Sequence, residues 1–106
     1  MANGIIIPTH EDSGWIELST GNFYRIIDDI VHLFISNYEI TATGWSVVDT
    51  LPSNARPKWV MRFTVPRSDG STAMIDINNV SGDVNVYSAH SGLQLYSVYL
   101  SFCRLQ

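Results

Sequence analysis

A chain of 106 residues with a net charge of −4 and one cysteine has room for one domain. Its 15% charged, 45% apolar and 11% aromatic residues exclude an intrinsically disordered chain, and the acidic balance excludes a phosphate-tracking surface, so no nucleic acid is expected as partner. Cys103 alone can build neither an internal disulfide nor a thiolate metal site, and no apolar run approaches the roughly 20 residues of a membrane span, so no membrane insertion is expected.

Valine, isoleucine and threonine supply 27 residues and the aromatics 12, against 11 for alanine, glutamate, lysine and glutamine together. Branched and aromatic side chains suit a pleated sheet, so the domain is expected to be all-β. Residues 1–14 read as a lead-in: Ile5, Ile6 and Ile7 form a short strand closed by Pro8, and a polar loop follows. Residues 15–18 and 22–27 are two strands joined at Thr20-Gly21, and Asp28-Asp29 makes the next turn. Over residues 30–38, Val31, Leu33 and Ile35 share one face while His32, Phe34 and Ser36 share the other.

Residues 39–49 are expected to be another strand, interrupted at Gly44, and residues 51–58 an ordered loop holding Pro52 and Pro57. Trp59, Met61, Phe63 and Val65 alternate with Val60, Arg62 and Thr64, which places Trp59 in the core. The sequence Ser68-Asp69-Gly70-Ser71 is a hairpin turn, because Asp-Gly supplies the positive φ that such turns need. Ala73, Ile75 and Ile77 alternate on the return strand, and a second tight connection at Ser81-Gly82-Asp83 leads to Val84 and Val86. In the last strand, residues 94–102, Tyr96, Val98, Leu100 and Phe102 are expected on one face. Short strands spaced by turns indicate a β-sandwich, a jelly roll or a small barrel.

The run Thr50-Leu51-Pro52-Ser53-Asn54-Ala55-Arg56-Pro57, an alternating strand, Asp69-Gly70-Ser71-Thr72, Ile75-Asp76-Ile77 and Ser81-Gly82-Asp83-Val84-Asn85-Val86 together form a pattern. With Gly21-Asn22-Phe23-Tyr24-Arg25 upstream, it resembles the head domains of receptor-binding and tail-fibre proteins from phages of Gram-positive bacteria. The resemblance covers roughly residues 15–102. It implies an antiparallel, jelly-roll-like β-sandwich head over residues 15–106, a homotrimer at the virion's tail tip or baseplate, binding a host cell-wall polysaccharide. It also implies other tail or baseplate proteins as partners, reached through an N-terminal region that this chain lacks. No family binding residue carries over position by position.

A sugar site needs an aromatic surface for the C–H face of the ring and planar polar groups for its hydroxyls. Trp45, within the polar stretch Ala42-Thr43-Gly44-Trp45-Ser46, and Trp15, beside the polar loop, are candidate platforms or else core side chains. Tyr87 and His90 flank another polar loop, either a sugar contact or a solvated hairpin end. Arg56 either clamps an anionic wall group or ties its own loop through backbone carbonyls. His10, His32 and His90 stand far apart, so no metal site and no cofactor are expected. Asp28-Asp29 and Glu11-Asp12 are adjacent pairs that point apart on extended backbone, which does not suit a glycosidase, and no nucleophile elbow is present; no enzyme is expected. The rival readings are a structural virion module without a ligand, and a carbohydrate-binding module of a cell-wall hydrolase.

Overall fold

Extended backbone sends successive side chains to opposite faces, so a strand with apolar residues at every second position buries one side against a partner. The computed structural model describes residues 11–104, with eight strands among them, and the rule is plainest in β2, β3, β6 and β7. They are β1 (Ile16–Glu17), β2 (Asn22–Ile27), β3 (Ile30–Glu39), β4 (Gly44–Thr50), β5 (Met61–Pro66), β6 (Thr72–Ile77), β7 (Asp83–Ser88) and β8 (Gln94–Cys103), with a 3₁₀ turn at Ser53–Ala55. The strand expected at Ile5, Ile6 and Ile7, and one of the three histidines, His10, lie outside the described residues.

The strands form two four-stranded antiparallel sheets, β1-β2-β3-β8 and β4-β7-β6-β5, packed as a β-sandwich. The pairs β3·β8, β4·β7 and β5·β6 are nested in sequence, like the ribbon that is rolled in a jelly roll. The third pair joins the second in one sheet through β6·β7. Val31, Leu33 and Ile35 of the first sheet meet Ile75, Ile77, Val84 and Val86 of the second in one buried cluster. Burying each such side chain stabilises the fold by about 1.5–3 kcal/mol.

Polar contacts close the open sides of the sandwich. On one side, the Asp49 carboxylate of β4 accepts from Ser19 N (3.1 Å), Ser19 Oγ (2.5 Å) and Asn22 Nδ2 (3.2 Å) in and beside the β1–β2 turn. On the other, Ser68 N donates to the Gln94 carbonyl (2.7 Å), and Gln94 N donates to Ser68 Oγ (3.1 Å). At the end where β2 turns into β3, Arg104 gathers Glu11, Asp29 and the Asn54 carbonyl. The Asp28-Asp29 turn there has φ of 49° and 67°, the paired left-handed conformations of a two-residue hairpin.

Three expectations are corrected. Trp59 is 69% exposed rather than core, because β5 begins only at Met61 and residues 58–60 precede the ladder. Tyr96 points outward and Leu95 inward, because Ser97 adopts φ 51° and breaks the alternation, leaving Tyr96 and Ser97 as consecutive exposed residues. The single strand expected over residues 39–49 is divided: β3 ends at Glu39 and β4 starts at Gly44, whose φ of +84° turns the chain into the other sheet.

The 51–58 loop depends on Gly82. At φ +78°, a Cβ there would strike the Leu51 carbonyl and stand 2.5 Å from Arg56 Nε, while Leu51 N donates to Gly82 O at 2.9 Å. Gly70 has φ +86° but faces open space. Gly70→Ala is therefore expected to cost about 1–2 kcal/mol from φ strain alone. Gly82→Ala adds a backbone collision and is expected to cost about 3 kcal/mol or more. Urea unfolding of both variants checks the difference; equal losses would show that the close approach at Gly82 contributes nothing.

Candidate functional site

The alternation that fills the core also fixes what stands on the two outer faces. On the second sheet the register aligns Trp45, Tyr87, Met74 and Thr64 in one outward row, and Val47, Asn85, Asp76 and Arg62 in the next. Trp45 is 49% exposed and Tyr87 39%. Their rings stand 5.2 Å apart at an interplanar angle of 57°, an edge-inclined pair that leaves ring surface open. Arg62 lies across this face: its Cζ is 5.9 Å from the centre of Trp45, and its Nε and Nη2 donate to the two oxygens of Asp76 at 2.6 and 2.8 Å. Between them the Asn85 amide makes no side-chain hydrogen bond with the described residues. Beside Tyr87 lies a shallow depression of about 300 Å³ lined by Thr64, Thr72, Met74 and Ala89 among others.

A polar network braces the strand ends next to this face. Arg67 is buried; its Nε donates to Ser71 Oγ and its Nη1 to Ser88 Oγ, each at 2.7 Å. Ser88 Oγ in turn donates to the His90 carbonyl at 2.6 Å, which shapes the bend carrying His90. The Ser71 hydroxyl donates to Asp69, and this bond, with that of the Ser71 N–H, holds the Asp69 carboxyl below its ordinary value.

The outer face of the first sheet differs in character. Its rows are Phe23, Phe34 and Tyr99; Arg25, His32 and Ser101; and Ile27, Ile30 and Cys103. Trp15, Phe23 and Phe34 line a trough of about 460 Å³ whose walls are almost wholly carbon. Arg25 sits over Trp15 at 5.8 Å and grips Asp12 with Nε (2.9 Å) and Nη2 (2.7 Å). His32 Nδ1 and the Tyr99 hydroxyl share a hydrogen bond, with their rings 5.7 Å apart.

The structure divides the five candidate residues. Trp45, Tyr87 and the bend bearing His90 come together at one end of the second sheet. Trp15 belongs to the opposite outer face. Arg56 is at the other end of β7, where its Nε donates to the Leu51 carbonyl (3.1 Å) and its Nη1 to the Val80 carbonyl (2.6 Å), so it ties its own loop. Sequence reasoning missed Arg62, Asp76 and Asn85, although their outward phase was legible from Met61, Ile75, Ile77, Val84 and Val86 facing in. It also missed the trough, because Phe23 and Phe34 meet only through the β2·β3 register. Among the described residues no three His, Cys, Asp or Glu side chains converge to hold a metal, and no helix is long and apolar enough to cross a membrane. The sequence matches no protein family and no curated protein.

Asp12 positions Trp15 through Arg25, and that contact is sensitive to acid. The Arg25 hydrogen bonds, helped by the Gly14 N–H, bring the Asp12 carboxyl from 3.8 down to about 2. Because the folded value is the lower one, this contribution to stability is complete above the unfolded value and is lost as pH falls through about 2. An NMR titration of the Asp12 carboxyl is expected to show a midpoint near 2, rising toward the ordinary aspartate range in Arg25→Ala, where the Gly14 N–H still holds it somewhat low. An unchanged midpoint in that variant would dismiss the pairing.

Proposed function

We propose that this domain is a saccharide-binding head of the receptor-binding type, and that the outer face of the second sheet holds the sugar. The observation that carries the reading is the half-exposed Trp45–Tyr87 pair beside an uncommitted amide, Asn85, and a charged fork, Arg62–Asp76. A pyranose can lay its C–H face on the rings while the amide both donates to and accepts from its hydroxyls. Asp76 keeps lone pairs beyond those taken by Arg62, and the fork's planar geometry suits paired hydroxyls. The trough on the first sheet does not suit a sugar, since its walls offer no partners for hydroxyls that would lose water there.

Placement along the fold supports the same reading. Glu11 and Arg104 are joined at one end of the sandwich, whereas Trp45 and Tyr87 stand toward the opposite end of their strands. A chain held at the Glu11 end presents the aromatic pair away from its attachment. In the proposed setting, a homotrimeric fibre tip facing a host wall, single sites bind weakly, and several copies raise the overall affinity by making later contacts intramolecular. This setting comes from the resemblance of the 50–57 and 69–86 motifs to phage head domains.

Calorimetry against host wall polysaccharide, preceded by a glycan array, tests the site. Trp45→Ala is expected to weaken binding about tenfold or more, and Asn85→Ala about threefold to tenfold, which is about 1.4 kcal/mol or more for the first and about 0.7–1.4 kcal/mol for the second. Phe34→Ala, on the opposite face, is expected to leave affinity unchanged. Full binding by Trp45→Ala would relocate the site. Absence of binding to any glycan or susceptible cell would leave a structural virion module as the function.

A further inference from the structure

The outer face of the second sheet changes character along its aromatic row. Trp45, Tyr87, Met74 and Thr64 follow one another across β4, β7, β6 and β5, and the depression of about 300 Å³ opens where the rings stop. Met74 is half-buried between the exposed Tyr87 and Thr64, which makes it the floor, and Thr72 and Ala89 stand at the strand ends. The depression thus joins carbon surface from Met74, Ala89 and the Tyr87 ring to two hydroxyls. Neither the Thr64 nor the Thr72 hydroxyl makes a hydrogen bond with the described residues. We propose, building on the saccharide reading of this face, that the depression takes an acetamido group, so that the ligand is an uncharged N-acetylated amino sugar.

Reach, chemistry and charge agree. Adjacent strands stand about 5 Å apart, so Met74 is one strand spacing from the Tyr87 ring and Thr64 one further. An acetamido group is a trans amide, and its methyl lies about 3.8 Å from the ring carbon that bears it. A pyranose laid on Trp45 and Tyr87 therefore delivers that methyl over Met74 and Ala89, where it leaves water for carbon. The amide N–H and C=O are then left within reach of hydroxyls that can each donate and accept. A plain hydroxyl at the same carbon is too short to span the gap and leaves the depression to water. Charge excludes the acidic alternatives. Arg62 gives Nε and Nη2 to Asp76, so the charged pair of these rows is neutral as a unit and offers no spare cation to a carboxylate or phosphate substituent.

NMR titration of the whole chain tests this, with the methyl glycosides of N-acetylglucosamine, N-acetylgalactosamine and N-acetylmannosamine, each beside its 2-hydroxy hexose parent. In at least one pair the N-acetylated sugar is expected to bind about fivefold or more tightly, with NOEs from its acetyl methyl to the methyls of Met74 and Ala89. Thr64→Val, which keeps the shape and removes the hydroxyl, is expected to reduce that preference to about twofold or less. Ala89→Phe, which fills the depression, is expected to abolish it. Equal affinities within every pair, binding of none of the six, or a preference that persists in either variant overturns the proposal. Wall polysaccharide separates this failure from the broader one: bound through Trp45 it keeps the saccharide reading, and unbound it removes both.

Discussion

Each strand of this domain can bury only one of its two faces, and the meeting of those buried faces governs the rest of the molecule. Val31, Leu33 and Ile35 press on Ile75, Ile77, Val84 and Val86 because period-two spacing delivers all of them to the same side. A register slip of one residue would turn this set to water, so the pairing is strongly specified. The same constraint decides which residues remain outside. Here the outer positions hold an unusual share of rings: Phe23, Phe34 and Tyr99 on one sheet, Trp45 and Tyr87 on the other.

Departures from strict alternation occur where the chain must bend. Ser97 in the left-handed region allows β8 to place Leu95 in the core and Tyr96 in solvent. In β4 the register shifts between Val47 and Asp49, so that Val48 packs on the core while Asp49 reaches Ser19 and Asn22. Such bulges increase local twist, which helps two sheets close around one core. The sides of the sandwich then depend on polar contacts: Asp49 on one, and Ser68 with Gln94 on the other.

The two outer faces carry aromatics of different kinds, and the difference is in their neighbours. Around Trp45 and Tyr87 stand an amide, a guanidinium and a carboxylate, so the face can exchange hydrogen bonds with a polar ligand. Around the trough, Arg25 is committed to Asp12 and Trp15, and His32 to Tyr99, so the rings enclose space that only carbon can fill favourably. Part of this was legible beforehand. Trp45, Tyr87 and Trp15 were recognisable as rings set beside polar stretches, and the outward phase of Phe34 followed from Leu33 and Ile35. Arg56 shows the reverse case, since nothing local distinguishes a guanidinium offered to a ligand from one turned onto the Leu51 and Val80 carbonyls.

By itself the sequence determined the all-β class, the Asp28-Asp29 and Asp69-Gly70 turns, and the inward sets of β3, β6 and β7. Those features depend on neighbours within a few residues: side-chain alternation, turn chemistry and the φ freedom of glycine. Only the tertiary structure decided that Trp59 is exposed, that Tyr96 turns outward, and that Trp15 and Trp45 lie on opposite sides of the molecule. It also decided that Arg62 and Asp76 join Trp45, since β5 and β4 lie at opposite edges of one sheet and only long side chains span it. The physical reason is that strand order and register come from the joint packing of two sheets. A periodicity read along one strand says which face is buried, and says nothing of which strand lies beside it.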